Sequence, residues 1–211
     1  DGARSFFAAD MNSDGDMDVL SASYTDDKIA WYDNNGSESF TTNTISTSND
    51  YPTSVYAIDL DNDGDMDAVS NGSAIVWHEN NGSESFTDHT IYSTGSDDLF
   101  PIDIDTDGDI DIASISGSNF YWFENNGSQS FSSNTITTST EDGRSIFIVD
   151  LDSDGDNDII ITESHYSWPA SNRIFWFENN GSESFTEHTI TNTAAQPRDV
   201  HAIDVDSDGD I

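Results

Sequence analysis

The residues best placed to do chemistry are nine-residue runs of alternating carboxylates, of which Asp59-Leu60-Asp61-Asn62-Asp63-Gly64-Asp65-Met66-Asp67 is the fullest. Near-copies occupy 10–18, 103–111 and 150–158, and a fifth begins at Asp204. Carboxylates this dense repel one another unless a cation sits among them. A hard divalent cation held by oxygen satisfies that need, and calcium suits a crowded, flexible oxygen site best. Positions 1, 3 and 5 can turn inward, position 7 can offer its backbone oxygen, and position 9 adds a further carboxylate. Glycine at position 6 permits the sharp reversal. The candidate ligands of the first loop are Asp10, Asn12, Asp14, Asp16 and Asp18, and of the second Asp59, Asp61, Asp63, Asp65 and Asp67. The third supplies Asp103, Asp105, Asp107, Asp109 and Asp111, the fourth Asp150, Asp152, Asp154, Asp156 and Asp158, and the fifth Asp204, Asp206, Asp208 and Asp210. One calcium per loop makes four or five in all.

The helical EF-hand shares this opening but requires a bidentate Glu at position 12. Here that position holds Ser21, Ser70, Ser114 and Ile161, and strand-like sequence flanks every loop, so the EF-hand and dockerin readings fail. Thrombospondin-type calcium repeats are cysteine-linked, and this chain has no cysteine. A solvated acidic turn would explain one copy; phased copies with glycine always in the same place count against it.

Other chemistry is thinly supported. His78, His89, His165, His188 and His201 are scattered, and no HExxH, nucleophile elbow or phosphate loop is present, so a non-enzymatic role is expected. Trp31, Trp77, Trp122 and Trp176 share one repeat position and read as core between blades rather than sugar platforms. His165, Tyr166 and Trp168 lie in an insertion peculiar to the fourth repeat. Aromatic and polar residues on a surface loop suit carbohydrate or protein contact, which makes them a candidate ligand loop. The bland alternative is a loop packed on its own blade. Asn35, Asn71, Asn81, Asn126 and Asn180 each precede Gly-Ser and match the N-glycosylation acceptor pattern, although four belong to a repeated turn that Asn-Gly geometry explains.

Charge narrows the partners. Five Lys and Arg face 42 Asp and Glu, a formal net charge of −37. Nucleic acid and anionic membranes are excluded as partners, since phosphate binding needs a basic face. An aromatic content of 11% argues against simple disorder. Weak calcium sites make sense where calcium is millimolar, so an extracellular or cell-surface location is expected. No signal peptide or membrane span is visible and the chain opens on Asp1, so it reads as a mature or excised segment.

The elements that position the loops repeat with them. Loop starts at 10, 59, 103, 150 and 204 give a period of 44 to 54 residues. A second marker follows in step: Trp31-Tyr32-Asp33-Asn34-Asn35-Gly36, then its counterparts at Trp77, Trp122 and Trp176. A third marker is Ser-x-Ser-Phe at Phe40, Phe86, Phe131 and Phe185, followed by Thr-Ile at Ile45, Ile91, Ile136 and Ile190. Each unit reads as four short strands: an apolar run before the loop, a second after it, the tryptophan strand, and a half-exposed strand beyond Asn-Asn-Gly. That predicts an all-β β-propeller of four-stranded antiparallel blades at about 2–50, 51–97, 98–142 and 143–196. A partial blade, 197–211, stops inside its loop, so the whole region 1–211 is expected to be part of a larger ring or to be completed by another chain.

Asp-x-Asp-x-Asp-Gly-x-x-Asp between two blade strands, followed by Trp-Phe-Glu-Asn-Asn-Gly, resembles the FG-GAP/VCBS-like repeats of integrin α-chain propellers and many secreted bacterial proteins. The resemblance covers essentially the whole chain, although the Phe-Gly…Gly-Ala-Pro consensus of one subgroup is absent. It implies a propeller of about seven blades with calcium in the loop between the first two strands of each. The expected function is an extracellular calcium-binding module for adhesion, protein–protein interaction or surface assembly, including self-assembly through the incomplete fifth blade. A lectin-like propeller, or the accessory domain of a secreted polysaccharide-active enzyme, is the alternative. The expected partner is a protein or a glycan on a cell surface or in a matrix, with no insertion into a membrane.

Overall fold

The computed structural model describes residues 2–37, 39–137, 142–164, 172–182, 184–209 and 211. Among them the regular structure is entirely strand. The first sheet contains β1 (Ala3–Ala9), β2 (Asp18–Ser23), β3 (Lys28–Asn34) and β4 (Phe40–Ser46), and the second β5 (Val55–Ile58), β6 (Asp67–Ser70), β7 (Ile75–Asn80) and β8 (Phe86–Tyr92). The third contains β9 (Asp98–Ile102), β10 (Asp111–Ser116), β11 (Asn119–Asn125) and β12 (Phe131–Thr137). The fourth contains β13 (Gly143–Val149), β14 (Asp158–Glu163), β15 (Arg173–Asn179) and β16 (Phe185–Thr191). Every sheet is a four-stranded meander in chain order, with antiparallel neighbours. The fold is an all-β propeller built from four-stranded blades, as the repeat predicts.

Burial follows the strand order. β6 and β14 are buried along their whole length, their apolar middles together with the polar residues at their ends, Asp67 and Ser70 in β6 and Asp158, Thr162 and Glu163 in β14. First strands alternate instead; β5 reads buried, half-buried, buried, half-buried, with Val55 and Ala57 in the core and Tyr56 on the other face meeting the Phe7 ring at 5.3 Å. The fourth strands are mostly exposed. Their Thr-Ile marker has a geometric meaning. Ser46 pairs with Ile29 and Thr44 with Ala30, so Ile45 is the extra residue of a β-bulge. Ile91 and Ile190 occupy the same bulged place.

By contacts the chain divides into two compact units, residues 1–96 with 126–131, and residues 97–125 with 132–211. In the first unit, Leu20, Ile29 and Trp31 pack against Val55, Ala57 and Ala68 of the next sheet. In the second, Phe120 and Trp122 join Ile146, Ile159, Phe175 and Phe177. Trp31 and Trp122 are therefore core between blades, whereas Trp176 is only half-buried and stacks on His188 at 4.8 Å.

Two local readings differ from expectation. The hairpin between third and fourth strands spans five residues: Asn81 N–H donates to the Ser85 carbonyl at 3.1 Å. Its positive φ values fall on Gly82 (71°) and Glu84 (58°), not on the asparagine. Asn81 contributes its side chain instead, accepting from Ser83 N–H at 3.0 Å. The second difference concerns residues 198–203, which adopt no strand, because no second strand lies alongside them among the described residues. They rest beside β13, with Ser145 Oγ donating to Asp199 at 3.3 Å and Phe147 meeting the His201 ring at 5.2 Å.

Candidate metal centre

Each acidic loop joins the first two strands of a blade, and its own carboxylates fold it. In the second loop, Asp59 accepts from the N–H groups of Asp63 (3.1 Å) and Gly64 (3.0 Å), which closes the turn on the first residue. Asp61 and Asp63 accept from Asp63 N–H and Asp65 N–H at 3.3 and 2.9 Å. Position 4 is left-handed in every loop, with φ between 59° and 64° at Ser13, Asn62, Thr106, Ser153 and Ser207. Gly64 follows two residues later at φ 96° with open space around it, so its need is conformational and not steric.

Position 9 is an anchor as well as a candidate ligand. Asp67 is fully buried; it accepts from Leu60 N–H at 3.1 Å and from Asn80 N–H at 2.7 Å. The same pair of bonds holds Asp18, Asp111 and Asp158. Asn80 then donates Nδ2 to the Met66 carbonyl at 3.1 Å and accepts from Gly82 N–H at 3.2 Å. One asparagine thus clasps the loop to the hairpin, and Asn34 and Asn179 repeat the whole arrangement. The indole N–H groups of Trp77 and Trp122 face Asp67 and Asp111 but fall short of a hydrogen bond.

The loops bring positions 1, 3 and 9 together. Single oxygens of Asp59, Asp61 and Asp67 all lie within 4.8 Å of one another, as do those of Asp103, Asp105 and Asp111, and of Asp150, Asp152 and Asp158. In the fifth copy the trio is Asp204, Asp206 and Asp208. Position 3 of the first loop is Asn12, whose Nδ2 donates to Asp14 and, at 3.4 Å, to Asp33. Position 5 (Asp14, Asp63, Asp107, Asp154) is exposed, with one oxygen on the position-7 N–H. The position-7 carboxylates of Asp16, Asp65 and Asp156 lie against Gly36, Gly82 and Gly181, where a Cβ would overlap them. Asp210 and the ligand loop of His165, Tyr166 and Trp168 lie outside the described residues.

Electrostatics inside the trios of loops two to four is unfavourable without a cation, whereas in the fifth the backbone N–H of Gly209 holds Asp204 below the usual carboxylate range. Burial pushes Asp67 up to about 6 and Asp111 up to about 7. Desolvation, with neighbouring carboxylates adding to it, raises Asp61, Asp105, Asp152 and Asp158. Part of that repulsion comes from a group the sequence reading missed. Glu79, Glu124 and Glu178, two residues after each tryptophan, act on Asp61, Asp105 and Asp152. Their recurrence at a fixed offset was the available signal. Glu79 and Glu178 are bound to His89 and His188 at 2.6 Å, and Asn134 donates to Glu124 at 3.0 Å. In the third loop, Asp103 Oδ1 is buried with no hydrogen-bond partner. Two ligands on opposite sides of one calcium stand about 4.6–5.2 Å apart, so these all-oxygen trios and the orphaned oxygen fit that ion.

One cluster imitates a catalytic triad. Ser70 Oγ lies 2.9 Å from His78 Nε2, and His78 Nδ1 lies 2.5 Å from Asp88. Ser70 and His78 have no exposed surface, and Ser70 Oγ already accepts from Asn49 Nδ2 at 3.2 Å. A nucleophile so enclosed has no room for a substrate carbonyl. Asp88, which also accepts from Ser46 and Ser48, is held below the usual carboxylate range; burial opposes its ionisation, but the bonds from His78 and the two serines outweigh it.

The FG-GAP-like repeat model matches the chain at residues 10–70, 103–161 and 150–211. No curated protein sequence is a match. Among solved structures, the chain is similar to an Agrocybe aegerita lectin described as recognising non-reducing terminal N-acetylglucosamine, with a TM-score of 0.63 and 19% identity over 89% of this chain and 52% of the lectin. It is also similar to the V. cholerae biofilm matrix protein Bap1, with a TM-score of 0.56 and 15% identity over 87% of this chain and 27% of that protein. The chain thus spans about half the length of the lectin and about a quarter of the matrix protein. At these identities the likeness is one of fold.

Proposed function

This chain belongs to the FG-GAP-like repeat family, and on that premise we propose that it is an extracellular module whose acidic loops bind calcium and whose blades present a surface to a protein or glycan partner. The observation that carries the reading is the carboxylate trio: in loops two, three and four, three acids lie within reach of one ion, and the position-9 acid among them is buried. Calcium, when bound, supplies the positive charge that lets these acids ionise together. The chain's own residues do the rest. Position 9 and the clasping asparagine hold the loop on its blade, and the left-handed residue with glycine turns both arms inward.

The role is binding rather than catalysis, with calcium acting as structure. A site filled a hundredfold above its dissociation constant stabilises the fold by about 2.7 kcal/mol, so several filled sites rival the stability of an ordinary domain. Excess EDTA should therefore lower the melting temperature sharply, and calcium should restore it. A melt that EDTA leaves unchanged sinks the calcium reading.

A glycan-binding role is the second reading, favoured by the likeness to a lectin fold. Saturable binding on a glycan array supports it. A blank array, together with a protein captured reversibly and only in calcium, supports adhesion to protein instead. No helix of the described residues is long and apolar enough to cross a membrane.

A further inference from the structure

The fourth loop departs from the others at position 8, and the departure reaches its neighbour. Loops one to three carry Met17, Met66 and Ile110 there; loop four carries Asn157. Asn157 Nδ2 donates to the backbone carbonyl of Asp103 at 2.8 Å. Asn179 Nδ2, which donates to the Asn157 carbonyl at 3.3 Å, also lies 3.5 Å from the Ile104 carbonyl. Both acceptors open loop three. Asp105 and Asp156, one from each loop, line a small cavity between them. Loop three is also the one whose first carboxylate differs: Asp103 Oδ1 has no partner, whereas Asp10, Asp59 and Asp150 each accept the position-5 N–H at 3.1 Å.

We propose that loops three and four bind calcium as a positively coupled pair, with Asn157 as the link. The proposal rests on the calcium reading above. Asn157 stands between Asp156, whose backbone oxygen is the expected ligand, and the buried Asp158. Ordering that stretch fixes the root of the Asn157 side chain, and with it the donor that holds the first residue of loop three. Conformational freedom lost in filling one loop need not be lost again in filling the other. By linkage the effect is reciprocal.

The test is a calcium titration followed by NMR on the amides of Gly108 and Gly155, each bonded to the first carboxylate of its own loop. Loop four is disabled by Asp152→Asn with Asp154→Asn. The Gly108 midpoint should then move to higher calcium by about fivefold or more, the lower end of ordinary coupling between sites. Adding Asn157→Met, the residue type of loops one and two, should abolish most of that shift while Gly108 still responds to calcium. Coupling through charge alone would survive this substitution, so an undiminished shift overturns the proposal. A Gly108 midpoint indifferent to loop four overturns it equally. Asn157→Ala removes the same donor and answers the question should Asn157→Met fail to fold. If neither glycine responds to calcium in the unaltered protein, the calcium reading falls, and this one with it.

Discussion

Asn80 commits its backbone N–H to Asp67, its Nδ2 to Met66 and its Oδ1 to Gly82, and it is 4% exposed. Replacing it by leucine keeps the backbone bond but leaves the other two groups unpaired. Asn80→Leu should cost about 1–3 kcal/mol, two ordinary hydrogen bonds at about 0.5–1.5 kcal/mol each, read as a lower urea midpoint at unchanged slope. Proton linkage acts on the carboxylate it clasps. An unfolded Asp titrates near 3.9, whereas burial pushes Asp67 to about 6 and Asp111 to about 7. The folded chain holds more protons over that interval. The resulting stability is complete below about pH 4 and is lost as the pH rises through about 6 to 7. Metal-free protein should accordingly melt lower at about pH 8 than at about pH 5. Calcium's stabilisation should grow across the same window, since a cation displaces those protons. Melts at both values, with and without calcium, check the sign.

The turns show what an element demands of single positions. A Cβ on Gly82 would meet strain at φ 71° and the Asp65 carboxylate as well, whereas Gly64 faces strain alone. Gly82→Ala and Gly64→Ala should each destabilise by about the 1–2 kcal/mol typical of left-handed strain in parallel urea titrations, with only the first also displacing the Asp65 carboxylate. The strands themselves were legible in the sequence, because a four-strand unit with a mostly apolar second strand after the acidic loop and a polar fourth is a local pattern. The carboxylate trio was legible for the same reason, since it lies within nine residues. The clasp was not. Asn80 gives Asp67 its backbone N–H across thirteen residues and gives Met66 and Gly82 its side chain, whereas its Asn-Asn-Gly context reads only as a turn. Ile45 was visible as a marker but not as a bulge, because register exists only once β3 and β4 pair. Ser70, His78 and Asp88 carry no motif spacing, and only pairing of β6, β7 and β8 aligns them.

At the scale of the molecule the governing quantity is a net charge of −37. Self-repulsion of that size weakens a compact state, and added salt screens it over about 10 Å at 0.1 M. Metal-free protein should gain melting temperature as sodium chloride is raised. The gain should shrink once calcium is present, because bound cations already offset part of the charge. Scanning calorimetry over a salt series in EDTA and in calcium separates the two. One arrangement bears on how such a chain grows. The bonds from Asp67 to Leu60 and Asn80, and from Asn80 to Met66 and Gly82, all close inside one blade and its own loop. A gene that duplicates or deletes one such repeat thus copies or discards a finished carboxylate cradle, with nothing to be rebuilt next door. The bond from Asn157 to Asp103 breaks that independence. Recombination that parts loops three and four would leave each intact and cost only their partnership.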